Sequence, residues 1–245
     1  MSILSVFAPT RLMRLAVSDA MNISRDPTLM FAILLSVVPS LGVTIWRNEI
    51  NALGVSAFAV PEIVDYALPV ILVLPAFLIG WVTGFLLLED RDDGPLLALD
   101  VTPIGKSGFM VYRAFMTALV TAFVTMFAMT LLLPESTWLL RLLFAVLIAV
   151  EAVCAAFILP VVARNKVEGL AVTKLTNIAS IIPLIAIFPS PWRYLAAIFP
   201  TYWIGEALQL SATPFLSLPL VWALAIFSHF AFAIILFALI DRRKG

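Results

Sequence analysis

Very little of this chain is charged. Asp, Glu, Lys and Arg make up 12% of its 245 residues, against about 25% in a soluble domain. With 63% hydrophobic residues, the apolar surface exceeds what a core of this size can hide. A soluble fold is therefore excluded and the class is integral membrane protein. Net charge is missing too: 15 basic and 15 acidic residues cancel, which leaves a nucleic-acid partner without electrostatic support. Cysteine is represented by Cys154 alone, inside a hydrophobic run. It has no disulfide partner and no metal-ligand companion, and it reads as a small core residue. His229 is the single histidine, so paired-histidine metal sites are excluded, and no G-x-S-x-G nucleophile turn occurs. No catalytic, cofactor-binding or metal-binding residue is expected. A cleavable signal is not expected either: Arg11, Arg14 and Arg25 precede the first apolar run with no cleavable apolar region ahead of them.

What the chain has in quantity is long apolar runs. Six are predicted as spans, at 28–46, 64–88, 108–133, 138–162, 174–189 and 218–240. Most reach the roughly 20 residues needed to cross about 30 Å as a helix, and the fifth is short. Residues 1–27 form a separate unit, predicted as an amphipathic interfacial helix. Arg11, Arg14, Ser18, Asn22 and Arg25 keep helical phase on one face, while Leu12, Met13, Ala16 and Val17 lie away from it. Asp26 and Pro27 end or restart that helix, and a disordered tail is the plainer alternative. The expected fold is an all-α membrane protein of six transmembrane helices, 28–245, behind this interfacial helix.

Lysine and arginine set the orientation. With the N-terminus in the cytoplasm, Arg47, Arg141 and Arg193 fall outside and the other 12 of the 15 basic residues inside. Both termini are then cytoplasmic. Outside, residues 47–63 have room for a short surface helix, and the turn 134–137 makes spans three and four an antiparallel pair. The outer segment 190–217 is too apolar for a plain loop. Two short helices on either side of Pro200, dipping into the outer leaflet, fit it. The alternative is an interfacial belt of Trp192, Tyr194, Tyr202 and Trp203. In span two, Pro69, Pro75, Gly80 and Gly84 imply either kinks or close helix packing.

The inner loops are 89–107 and 163–173. In the first, the acids Glu89, Asp90, Asp92, Asp93 and Asp100 outnumber Arg91 and Lys106. Anionic lipid repels such a cluster, so a basic protein surface suits it better. Asp93 is a fit N-cap and Pro95 a fit first-turn residue for a short helix presenting Leu96, Leu97 and Leu99, which Thr102-Pro103 ends. A solvated connector is the alternative. The triplet Gly105-Lys106-Ser107 resembles the end of a phosphate-binding loop. The first glycine of that motif would have to stand at Asp100, so nucleotide binding is rejected there. Two ionisable groups stand mid-span, Glu151 in span four and His229 in span six. They lie at similar depth and could pair. Such groups face a bundle interior and mark a substrate path, a subunit interface or a satisfied structural hydrogen bond. Ala149, Ala152, Ala155 and Ala156 around Glu151 permit close helix contact.

With these elements in place, the chain resembles the ABC-2-type permeases, membrane subunits of ATP-binding-cassette exporters. Three stretches are similar to the bacterial fluoroquinolone-export permease subgroup: LLEDRDDGPLLALDVTPIGKSGFMVYR at 87–113, ARNKVEGLAVTK at 163–174 and FPSPWRYLAAIFPTYW at 188–203. Where that subgroup starts its helix with glutamates and Gly-Thr, this chain has Asp92-Asp93-Gly94-Pro95. The resemblance implies that Glu89–Lys106 is a coupling helix docking on a separate ATPase subunit. Asn165, Lys166, Glu168 and Gly169 would make a second contact. The chain would be a non-catalytic half-transporter in a prokaryotic cytoplasmic membrane, working with a second permease copy or a sister chain. Two ATPase subunits would bind the ATP and Mg. An amphipathic small molecule, a drug or lipid-like compound, would be moved outward. The competing readings are a secondary transporter or channel using Glu151 and His229, and a membrane scaffold.

Overall fold

In the computed structural model the described residues are 9–92, 105–208 and 215–242, with side chains described over 13–91, 105–208 and 215–239. The elements are α1 (Pro9–Arg25), α2 (Pro27–Ile45), α3 (Arg47–Phe58), α4 (Ile63–Asp92), α5 (Gly105–Leu132), α6 (Trp138–Val162), α7 (Lys166–Thr176), α8 (Ile178–Ile181), 3-10 helices at Ile182–Ile187 and Pro191–Ile198, α9 (Tyr202–Ala207) and α10 (Leu218–Arg242). Among them are six candidate membrane spans, the fifth running from Lys166 to Ile187 across α7, α8 and the first 3-10 helix. The molecule is an all-helical, multi-pass membrane protein.

The bundle is built around α4. Of its candidate span, 83% of the most apolar stretch is buried, against 17% for α2 and for α10. The cause lies in its sequence, which is apolar on every side rather than along a stripe, as a central helix must be. Pro69 and Pro75 lie within α4 and the helix continues through both. Gly80 and Gly84 serve packing. A Cβ on Gly80 would stand 2.6 Å from the Ala152 carbonyl and 2.8 Å from the Ala155 Cβ; one on Gly84 would stand 2.9 Å from the Ala156 carbonyl. The pair therefore lets α4 lie directly on the small residues of α6. Gly80→Val is expected to force the seam apart, at about 1–3 kcal/mol or more. A thermal melt of the purified protein would show a lowered midpoint and a smaller monodisperse fraction. Gly42→Ala is the control, because its Cβ would meet only the Trp46 ring at 3.7 Å. An unchanged melt for Gly80→Val would refute the close seam.

Caps place the helix starts. Asp26 accepts from the Thr28 and Leu29 amides at 2.8 and 3.3 Å, with Pro27 in the first turn, so α2 restarts directly after α1. The turn after α5 is held by Arg141, which donates to the Pro134 carbonyl at 2.5 Å and to Ser136 Oγ at 2.9 Å. The fifth span departs from its predicted limits. The chain is already helical at Lys166, inside the expected loop 163–173, because Asn165 Oδ1 accepts from the Glu168 amide at 2.9 Å and Glu168 Oε2 from the Arg164 amide at 2.8 Å. The first is an N-cap bond, and the second ties the residue before the cap to the first turn. Further on, Pro183 enters the 3-10 helix. Likewise α4 extends to Asp92, so Glu89, Asp90 and Arg91 belong to its last turns rather than to a loop.

Candidate functional site

Among the described residues, buried polar groups at three places bear on function. The first is the bundle end where α4 stops and α5 begins. Arg113, 3% exposed, donates from Nη1 to Asp19 Oδ2 of α1 at 2.9 Å and from Nη2 to Asp90 Oδ2 of α4 at 2.8 Å. Its guanidinium lies 4.9 Å from the centre of the Phe109 ring. Tyr112 donates its hydroxyl proton to Asp19 at 2.7 Å. Burial pushes the Asp19 carboxyl above its ordinary range, while the Arg113 charge pulls it back down. Arg91 donates to the carbonyls of Pro160 at 3.0 Å, Ala163 at 3.1 Å and Arg164 at 2.6 Å, one in the last turn of α6 and two just past its end. Lys166 pairs with Glu89 and stands 3.9 Å from Asp26. Charges from α1, α4, α5 and α7, with the end of α6, thus interlock around the two roots of segment 93–104.

This corrects the expectation for Glu89 and Asp90. They are not an open acidic surface, because Lys166 and Arg113 neutralise them within the chain. A carboxylate at a packed helix end needs a counter-charge, and the chain supplies it. Asp92 closes α4. Asp93, Gly94, Pro95, Leu96, Leu97, Leu99, Asp100, Thr102 and Pro103 lie outside the described residues. The second group is brought to the same end but is also used internally. Asn165 and Glu168 cap α7, Lys166 holds Glu89, and Gly169 is buried with its Cβ position 2.9 Å from Phe85 and 3.0 Å from Leu88. Exposed beside them are Val167 at 77% and Leu170 at 47%. Neither stands out from the sequence, where 163–173 reads as a loop and its outer helical face is not apparent.

The second place is the helical hairpin at the opposite end of the bundle. Pieces at Pro191–Ile198 and Tyr202–Ala207 flank Pro200. Arg193 and Glu206 meet across it, Nε to Oε1 at 2.8 Å, with side-chain exposures of 0% and 7%. Arg193 also donates to the Phe188 carbonyl at 3.0 Å and lies 5.3 and 5.1 Å from the centres of the Tyr194 and Phe215 rings. Tyr202 donates to Glu206. Trp203 Nε1 donates to the Ala197 carbonyl at 3.1 Å and Thr201 Oγ1 to the Ala179 carbonyl at 2.9 Å. Tyr202 and Trp203 are buried, unlike Trp192, so an outward aromatic belt does not describe them. The Arg193–Glu206 pair is not apparent from the sequence, where Arg193 is one of three outer basic residues. Its signal was an arginine and a glutamate in a segment with few other charges.

The third place holds Glu151 and His229. Both are buried, at 6% and 0% exposure, but no hydrogen bond or ion pair described in the structure joins them. His229 Nδ1 lies 2.8 Å from the Ala225 carbonyl on its own helix, so that nitrogen donates. His229 Nε2 and Glu151 Oε2 are buried without a partner. Glu151 lines a cavity of about 880 Å³ between α4, α6, the fifth span, the hairpin and α10.

The family model described as fluoroquinolones export permease protein Rv2686c-like matches residues 19–240. Two relatives come from Mycobacterium tuberculosis. They are the fluoroquinolones export permease proteins Rv2686c of strain ATCC 25618 / H37Rv and MT2760 of strain CDC 1551 / Oshkosh. Each is 27% identical over 222 residues, covering 86% of this chain and 86% of the relative. No solved structure matches the chain. The matched residues take in both charged clusters, the hairpin and all six spans, and on that breadth the chain belongs to the Rv2686c-like family of fluoroquinolone export permeases.

Proposed function

We propose that this chain is the non-catalytic membrane subunit of an ATP-driven exporter of the ABC-2 type, taking energy through segment 89–106 from a separate ATPase. The observation that carries this reading is the interlock at the roots of that segment. Arg113 joins Asp90 to Asp19, and Lys166 joins Glu89 to the start of α7. A displacement of the segment is thereby passed to α1, α4, α5 and α7 together, which suits rigid-body rocking of a bundle. The family name supports outward movement and fluoroquinolones as a substrate class, and in this reading the substrate is an amphipathic small molecule. In this reading the interlocked end faces the cytoplasm of a prokaryotic cell, with both termini there. The six spans form half of a transporter completed by a second copy or a sister permease, and two ATPase subunits bind ATP and Mg. Leu96, Leu97 and Leu99 make the docking surface. Val167 and Leu170 add apolar surface at the second contact, while Asn165, Lys166, Glu168 and Gly169 hold that contact in shape.

The test is co-purification from the native host. An ATP-binding subunit should accompany the full-length chain, and Leu96→Asp or Leu97→Asp should cut its recovery about tenfold by placing a charge in an apolar contact. Export should stop when ATP is depleted with the ion gradients held. Undiminished recovery of the ATPase in both variants, or export driven by an ion gradient alone, sinks the reading.

A further inference from the structure

The cavity beside Glu151 has a chemistry of its own. Its walls are apolar and aromatic, with Phe77, Trp203, Leu224 and Phe232 among them, and Glu151 is the one ionisable side chain among the residues lining it. The wall hydroxyls are already committed: Thr201 donates to the Ala179 carbonyl at 2.9 Å, Ser228 to the Ala225 carbonyl at 3.0 Å and Thr176 to the Val172 carbonyl at 3.1 Å. That leaves Glu151 Oε2, buried and without a partner, as the polar atom in need of a donor. A buried carboxylate requires a counter-charge, and no lysine, arginine or histidine lines this space. A volume of about 880 Å³ falls within the 300–1,000 Å³ range of small-molecule sites.

We propose that this cavity binds an amphipathic organic cation, its protonated amine on the Glu151 carboxylate and its ring system against Phe77, Trp203 and Phe232. Aromatic walls suit both a flat ring and a nearby cation. This names the substrate class within the exporter reading and rests on that reading for the direction of movement. The arrangement recognises charge through one acceptor and shape through everything else. A neutral analogue of the same ring should enter but bind weakly, and an anion should be rejected.

The experiment uses the full-length chain in nanodiscs, read against protein-free nanodiscs, with 1-naphthylmethylammonium and 1-naphthalenemethanol as probes. The two share one ring and differ in charge. The wild type should favour the ammonium by about 10- to 100-fold, the range of a charge-assisted hydrogen bond. Glu151→Gln keeps the shape and should lower the ammonium to the affinity of the alcohol. Ile158→Trp fills the cavity and should weaken both probes about equally. Equal affinities in the wild type, as expected if an acyl chain or a second copy occupies the space, overturn the proposal. So does a preference that survives Glu151→Gln, or unchanged binding in Ile158→Trp. If Glu151→Gln is not recovered folded, Glu151→Asp draws the carboxylate back and must still reduce the preference. Binding is measured without ATPase. Loss of the preference with coupling intact removes this site alone, and loss of coupling with the preference intact removes the exporter reading alone.

Discussion

Arg193→Leu and Glu206→Leu, made singly, are each expected to lower stability by about 3–5 kcal/mol, the cost of leaving one partner of a buried ion pair uncompensated. The exposures of 0% and 7% leave water no access to compensate either charge. In Arg193→Leu, Glu206 keeps only the Tyr202 hydroxyl. In Glu206→Leu the guanidinium keeps the Phe188 carbonyl and two aromatic faces. The glutamate is thus left worse satisfied, and Arg193→Leu should be the more damaging of the two. The double variant should recover most of the loss, because two apolar groups in a closed site need no counter-charge. Trp203 reports on the site: it is 5% exposed, so opening of the hairpin would red-shift its fluorescence. Singles that melt with the wild type, or a double variant no better than either single, would show that the pair is not closed off from water.

Arg113→Ala is the second large effect. It leaves Asp19 and Asp90 facing one another without their shared cation, with side-chain exposures of 19% and 18%. The loss should approach the same 3–5 kcal/mol range from below, because the two acids are partly wetted. It should appear first as release of α1, since the Tyr112 hydroxyl is the remaining hydrogen bond holding Asp19. Trypsin cleavage at Arg14 and Arg25 should then run well ahead of the wild type, before global unfolding. Adding Asp19→Asn and Asp90→Asn to the Arg113→Ala background should return part of the melting temperature, by removing two uncompensated charges. If Arg113→Ala cleaves and melts as the wild type does, α1 is held by packing alone, and the interlock that supports coupling loses its central member. Arg113→Lys should be intermediate, because an ammonium cannot fork between two carboxylates as a guanidinium does.

Position along the chain decided which features could be read early. The six spans follow from transfer free energy summed over about 20 neighbouring residues, a local property. The two helical pieces around Pro200 follow from proline punctuation, and the α1 to α2 restart from an Asp-Pro pair. Gly80 and Gly84 show the limit of that method. Sequence offered a kink or a close contact, and only the presence of Ala152, Ala155 and Ala156 across the seam chose contact. Asn165 and Glu168 show a local signal with a structural meaning of its own, since their spacing starts a helix.

By itself, then, the sequence determined that this is an all-helical membrane protein with six apolar segments, though not the limits of the fifth, because hydropathy acts within one segment at a time. Tertiary structure alone decided which charges are occupied. Tyr112 reaches Asp19 across 93 positions and Arg113 reaches Asp90 across 23, and nothing in either neighbourhood names the other. Glu151 was visible as a mid-span acid. That no described hydrogen bond joins it to His229, that its Oε2 is unpartnered and that its side chain lines an apolar cavity depend on how five elements pack. A Coulomb interaction depends on distance in space and on the surrounding dielectric, and folding sets both.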